Sequence, residues 1–201
     1  MKITTLLLLI VAVVGVIFVV LQAFSVRTTK QTEQYAYEVL KEYKDFEIRK
    51  YEPAIFSSVT MASSSYRENS GQGFRTLAGY IFGGNERNQK IAMTSPVAMQ
   101  MDDSMTMSFM VPSEMDMDDL PKPNDGRIKF TREPSKVVAA IRFGGWSSDE
   151  KIEEYTQQLK DALEREGLSY KAPFTYLGYN PPYEMVNRRN EIMVELVDPV
   201  I

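Results

Sequence analysis

Three hydrophobic patterns succeed one another along the chain, and each predicts a different kind of element. Leu6 opens and Phe24 closes a run in which Gln22 is the one polar side chain. At ~1.5 Å per residue a helix of that length reaches roughly 28 Å, the thickness of a bilayer's hydrocarbon layer. Beyond it, apolar and polar positions alternate with the period of a strand. Phe46 and Ile48 alternate with Glu47 and Arg49, Ile128 and Phe130 with Lys129 and Thr131, and Ile192, Val194 and Leu196 with Met193, Glu195 and Val197. Ala54 to Met61 and Lys136 to Phe143 are apolar enough to be strands as well. Met99 to Val111 reads as a hairpin turning at Asp102-Asp103-Ser104. Helical spacing appears twice, at Phe74, Leu77, Ala78 and Ile81 and at Ile152, Tyr155, Leu159 and Leu163, so each helix buries one face.

The helices and strands repeat as a unit. Glu52-Pro53, the strand to Met61, Ser63-Ser64-Ser65 and a helix opening on the capping box Ser65-Tyr66-Arg67-Glu68 form the first copy. Glu133-Pro134, the strand to Phe143 and the box Ser147-Ser148-Asp149-Glu150 form the second. Gly83-Gly84 and Gly167 are placed to close the two helices. Residues 112–126, rich in Pro, Asp and Met, read as a long loop joining the halves. The expected fold is α+β: duplicated halves around a pseudo-twofold axis, two helices against short antiparallel strands curved into a barrel, after one N-terminal transmembrane helix.

The apolar run divides the chain into a membrane anchor over residues 1–26, a polar tether over 27–36 and a domain over 37–201. Ala23-Phe24-Ser25 also resembles a signal-peptide cleavage site, although the run exceeds the usual apolar length of such peptides. Lys2 before it and Arg27 and Lys30 after it leave the orientation open. The localisation expected is a single-pass membrane protein.

Composition narrows the chemistry by what it lacks. The 201 residues include no Cys and no His, which removes thiolate nucleophiles, disulfides, the usual zinc sites and imidazole bases or haem ligands together. The formal charge of -4 comes from interspersed acids and bases, so no basic stripe points to nucleic acid. With no G-x-S-x-G motif, catalysis would need a Ser-Lys pair, a Tyr or a carboxylate base such as Glu47, Glu52, Glu184 or Glu195, and a non-enzyme is expected. Most of the twelve methionines cluster between Met93 and Met117. Met99-Gln100-Met101 and Met105-Thr106-Met107 would bring thioethers onto one face of the hairpin, either as soft ligands for Cu(I) or as filling for an irregular core.

Longer motifs resemble a known family. The stretch from Gly73-Phe74-Arg75-Thr76-Leu77-Ala78-Gly79-Tyr80-Ile81-Phe82 through Gly83-Gly84-Asn85 and Lys90-Ile91-Ala92-Met93-Thr94-Ser95-Pro96-Val97 is similar to the signature of the SOUL haem-binding proteins. Gly178-Tyr179-Asn180-Pro181-Pro182, Arg188-Arg189-Asn190-Glu191 and Phe143-Gly144-Gly145-Trp146 match further motifs, and the resemblance runs from Tyr37 to Leu196. It implies a distorted antiparallel β-barrel of two repeated halves flanked by two helices, and non-catalytic binding of haem or another tetrapyrrole for carriage, buffering or sensing. The site it implies is an apolar groove, with Phe74, Arg75, Ala78, Gly79 and Phe82 on the first helix of the domain and Tyr183, Met185 and Arg188 on the loop before the last strand. Without His, iron is left with Met, Tyr or water. The resemblance also sets Gly71, Gly79 and Glu184 where vertebrate members carry basic residues, so Glu184 is expected to repel a propionate. The alternative is a domain of this fold that takes another hydrophobic ligand or Cu(I), or has lost haem binding.

Overall fold

The computed structural model describes residues 3–197, apart from the side chains of residues 5, 6, 8, 9, 19, 23, 24, 26, 28 and 30. The last four positions of the expected domain, 198–201, lie outside the described residues.

Among the described residues nine strands form one antiparallel sheet: β1 (Tyr37–Glu42), β2 (Glu47–Tyr51), β3 (Ala54–Met61), β4 (Val97–Met101), β5 (Met105–Met110), β6 (Lys129–Glu133), β7 (Lys136–Phe143), β8 (Tyr170–Gly178) and β9 (Asn190–Leu196). Their order is β1-β2-β7-β9-β8-β4-β5-β3-β6. The sequence repeat is legible in it. With α2 (Tyr66–Ile81) and α3 (Asp149–Arg165), the units β3-α2-β4-β5 and β7-α3-β8-β9 mirror each other and meet where β4 pairs with β8. Each half also takes the other's leading strand, β2 pairing with β7 and β6 with β3.

That exchange explains the repeated Glu-Pro step. Glu52-Pro53 alone separates β2 from β3, and Pro134-Ser135 alone separates β6 from β7, yet each pair of strands lies near opposite ends of the sheet order. Three peptide steps span at most about 10 Å, so the sheet must curl until its two ends almost meet. The two links pass side by side, with the Ser135 hydroxyl donating to the Tyr51 carbonyl at 2.8 Å. Proline suits the crossing because it has no N–H to leave unpaired. The curl stops short of closure: β1 and β6 remain edges, so the architecture is a half-barrel where a barrel was expected.

The helices cover one face of this sheet. Ser65 caps α2, its Oγ accepting from the Glu68 N–H at 3.3 Å, while the Glu68 carboxylate takes the Ser63 hydroxyl. α3 is capped by Ser148, one residue later than expected, because Ser147 Oγ is engaged with Tyr176 Oη at 2.7 Å and Asn190 Oδ1 at 3.1 Å. Asp149 ties the helices together by accepting from the Tyr66 and Arg67 N–H groups at 2.6 and 3.2 Å, a carboxylate at the positive end of α2. At the other end Gly83 has φ of +112°, and Gly84 donates to the Gly79 carbonyl at 2.8 Å. α2 packs on β3 and β5, α3 on β7 and β9. Leu77, Leu159 and Leu163 are wholly buried, worth about 2 kcal/mol or more each in area removed from water. Met105 and Met107 are equally buried beneath α2, where a Cβ on Gly73 would come within 3.2 Å of Met107 Sδ. The methionine hairpin is therefore part of the helix-facing core. The opposite face buries Tyr51, Phe56, Val138, Leu177, Tyr179 and Met193.

α1 (Ile3–Gln31) is a 29-residue helix, about 43 Å long at the usual rise. It runs through Gln31, so the first half of the expected tether, 27–31, is helical, and the chain then enters the domain at Tyr35, which is buried. Every position from 10 to 18 is exposed, and one turn of helix visits all directions in that span, so the domain covers no side of it. Counted over the described residues alone, no helix is long and apolar enough to cross a membrane. Leu6, Leu8, Leu9, Val19, Ala23 and Phe24 of the expected anchor have side chains outside that set. The fold therefore leaves the transmembrane helix an inference from sequence.

Candidate ligand-binding site

Much of the motif content turns out to build the scaffold. Asn85 is buried with its amide fully used: Nδ2 donates to the Tyr80 and Gln89 carbonyls at 3.1 and 2.8 Å, and Oδ1 accepts from the Arg87 and Gln89 N–H groups. Thr94 Oγ1 donates to the Met110 carbonyl at 2.7 Å and Ser95 Oγ to the Tyr179 carbonyl at 3.3 Å. Glu191 is completely buried in β9 and receives both Nη atoms of Arg49, at 2.7 and 3.1 Å, together with Arg189 Nε at 2.9 Å and Tyr179 Oη at 2.8 Å. Burial works against this charge, but hydrogen bonds and attraction from Arg49, with help from Arg189 and Tyr179, hold the carboxyl below its usual range. The Arg189 guanidinium lies 3.9 Å from the Tyr179 ring centroid. It is thus committed to the network.

What remains outward is a stripe on α2. Phe74, Arg75, Gly79 and Phe82 follow one another at helical spacing, and all four are exposed, Phe82 to 65%. Phe74 leans onto Phe109 of β5, with centroids 5.4 Å apart. The stripe is indented by glycine: a Cβ on Gly79 would meet nothing within 4 Å, and one on Gly71 only the Arg75 guanidinium at 3.5 Å. Ala78, expected on this face, is 7% exposed and belongs mainly to the core. The result is a shallow apolar surface with room for a flat group.

The loop between β8 and β9 presents the second set. Tyr183 and Met185 are exposed, and Val186 beside them, which sequence reasoning passed over, is exposed too. Arg188 holds the loop's shape: its Nη1 donates to the Pro181 and Glu184 carbonyls at 2.9 and 2.7 Å, and its guanidinium covers Trp146 at 4.2 Å. Glu184 is 2% exposed, so it faces no ligand and repels none, contrary to expectation. Its carboxylate accepts from Thr29 Oγ1 at 2.6 Å, Ser25 Oγ at 3.3 Å and Asn180 Nδ2 at 2.8 Å, two of the three from α1. Gln22 completes the attachment, Nε2 donating to the Tyr183 carbonyl at 3.1 Å and Oε1 accepting from the Met185 N–H at 3.0 Å. The isolated polar residue in an apolar run was the signal for this contact. Among the described residues no hydrogen bond or ring contact joins the helix stripe to the loop; the stripe rests on β5, the loop on α1 and on the turn carrying Trp146.

Two hollows lie elsewhere. A cleft of about 940 Å³ at the N-terminal ends of α2 and α3 includes Asp149, Glu153, Tyr170, Phe174 and Tyr176, and Asp149 is spent there on capping. A hollow of about 290 Å³ on the other face of the sheet is lined in part by Tyr35, whose buried hydroxyl has no partner among the described residues. Neither contains an expected ligand residue. The α2 stripe offers apolar walls at Phe74 and Phe82 and a cation at Arg75, groups of the kind a tetrapyrrole needs, and the loop separately offers a phenol and a thioether at Tyr183 and Met185 in a chain without imidazole.

The architecture is a half-barrel of exchanged halves, with the signature residues placed to hold it. The family model described as SOUL heme-binding protein matches residues 32–195, and the chain belongs to that family. It is similar to human heme-binding protein 2, 32% identical over 73% of this chain and 76% of that protein. The Xenopus laevis heme-binding protein 1 is 26% identical, covering 73% and 81%. In fold alone it is similar to the EcmrR C-terminal domain, with a TM-score of 0.60 at 10% identity over 81% of this chain and 99% of that one. A hydrolase from Listeria innocua gives 0.56 at 9% identity, over 79% and 94%.

Proposed function

We propose that this chain binds haem or a related tetrapyrrole on the outward face of α2, as a membrane-held carrier, buffer or sensor and not as a catalyst. The observation that carries the reading is the open apolar stripe, where Gly79 leaves room between exposed Phe74, Arg75 and Phe82. Membership of a family whose relatives are named heme-binding proteins supports it. The membrane part rests on α1, whose exposed middle is apolar on every side, a pattern a solvated helix does not sustain. That pattern supports anchoring as a single-pass protein.

With no His or Cys, the macrocycle's apolar faces carry the affinity, and iron contributes little. A different hydrophobic ligand is the second reading. It is favoured by Arg188, whose guanidinium is already engaged with backbone carbonyls, leaving Arg75 as the cation on the stripe. Copper through the hairpin thioethers is disfavoured, since Met105 and Met107 are wholly buried.

Titrating haemin and metal-free protoporphyrin into the detergent-held chain, followed by the Soret band and by Trp146 fluorescence, tests the proposal. Saturable one-to-one binding of both is expected. Phe82→Ser should weaken both by about tenfold, the loss of a partly buried aromatic. Absence of saturation with either ligand would sink the assignment, and loss of protoporphyrin binding alone would show that iron ligation dominates.

A further inference from the structure

The loop that carries Tyr183 and Met185 is fastened to α1 at the point where the apolar run ends. Gln22 makes two hydrogen bonds to it, and Ser25 and Thr29, one and two turns onward, hold the carboxylate of Glu184. On the N-terminal side of Gln22 the helix is exposed and apolar; on the other side it enters the domain. The loop therefore lies level with the end of the apolar segment, and that level is fixed by side-chain contacts.

The surface at that level has an unusual composition for a polar loop. Tyr183, Met185 and Val186 are 65%, 56% and 49% exposed, and Trp146, behind Arg188, is 52% exposed. Four large apolar or amphipathic side chains around the base of an apolar helix are the residues that settle at a membrane interface, Tyr and Trp most of all. Arg27 is also exposed, just past the run, where an arginine meets lipid phosphates. Gln22 lies two residues, about 3 Å along the helix axis, before Phe24, where the apolar run ends, and each headgroup layer is about 5–7 Å deep, so the loop lies where hydrocarbon gives way to that layer once the helix is in a bilayer.

We infer that residues 181–186 and Trp146 are immersed in the phospholipid headgroup layer beside α1, with Gln22 as the clasp that holds them there. This rests on the anchor reading. Its consequence is that this face of the domain is presented to the bilayer and not to bulk water.

Trp146 is the chain's single tryptophan and reports directly on this. The full chain is reconstituted in phosphatidylcholine vesicles containing nitroxide lipids labelled near the headgroup or deep in the acyl chain, and vesicle flotation is measured on the same samples. Shallow labels are expected to quench Trp146 several-fold more than deep labels, and aqueous iodide to reach it poorly. Gln22→Ala should float unchanged but lose shallow quenching, because losing two hydrogen bonds releases a docked loop by about fivefold or more. Tyr183→Ser with Met185→Ser, which leaves the clasp intact, should weaken shallow quenching as well. A chain that floats while iodide reaches Trp146 freely and neither label does overturns this inference alone. A chain that does not float overturns the anchor reading and this inference with it, and haemin binding in detergent is unaffected by either result.

Discussion

Glu191 illustrates how a single residue can look like ligand chemistry and be architecture. Its motif, Arg188-Arg189-Asn190-Glu191, offers two cations and a carboxylate near a suspected site. In the fold, Arg49 and Arg189 close on that carboxylate in a region where Glu191 has no exposure at all. Removing one partner strands a buried charge, so Arg49→Ala should cost about 3–5 kcal/mol, whereas Arg49→Met with Glu191→Met should cost much less. The pH dependence has a definite sign. Because the folded pKa of Glu191 is depressed, its contribution is whole above the ordinary carboxylate range and is lost as pH falls through the depressed value. Thermal unfolding of the wild type should therefore be level near neutrality and fall below about pH 5, and Glu191→Gln should start lower and lose part of that acid slope. An unchanged slope would mean that other carboxylates govern acid unfolding. Sequence alone could not have assigned these roles, because Arg49 and Glu191 lie 142 positions apart and meet only through the pairing of β2 and β9 with β7.

At the scale of elements, local patterns were legible wherever one short rule decided them. Helical spacing, serine caps and the Gly83-Gly84 stop defined α2, and the two-residue period placed Met99, Met101, Met105 and Met107 on one face. β8 escaped because Pro173 interrupts it and its pairing with β9 shifts between Lys171 and Thr175. The shifted cap of α3 depended on Tyr176 and Asn190, which no local pattern brings to Ser147. The glycines of α2 give the sharpest test of whether the stripe is kept open for a ligand. Nothing lies within 4 Å of a Cβ on Gly79, so Gly79→Ala should raise stability by about 0.5–1 kcal/mol through helix propensity. Gly84→Ala should instead destabilise by about 1–3 kcal/mol, because its Cβ would lie 2.6 Å from the Gly79 carbonyl oxygen. If Gly79→Ala stabilises and also weakens protoporphyrin binding, the glycine is retained for the ligand at the expense of the helix. Stabilisation with unchanged binding would move the ligand off this face.

The whole molecule was legible as a repeat before it was legible as a shape. Two Glu-Pro steps announced duplicated units, but their physical role, carrying each leading strand across the seam of a curled sheet, follows only from the strand order. The attachment of α1 was hidden for the same reason, since Gln22 and Tyr183 are 161 positions apart. That attachment makes the helix a part of the loop's structure as well as its tether. A chain beginning at Thr32 keeps the sheet and the buried Tyr35 but loses Gln22, Ser25 and Thr29, and with them two of the three hydrogen bonds named for Glu184. Hydrogen exchange should then show the amides of residues 183–187 losing about tenfold or more of their protection, while β7 and β9 change little. The unfolding temperature should fall only slightly, because the cores beneath α2 and α3 are untouched. Equal protection of the loop in both chains would mean that Arg188 and Asn180 hold it unaided. A loss spread over β7 and β9 would mean that α1 supports the entire half-barrel and not the loop alone.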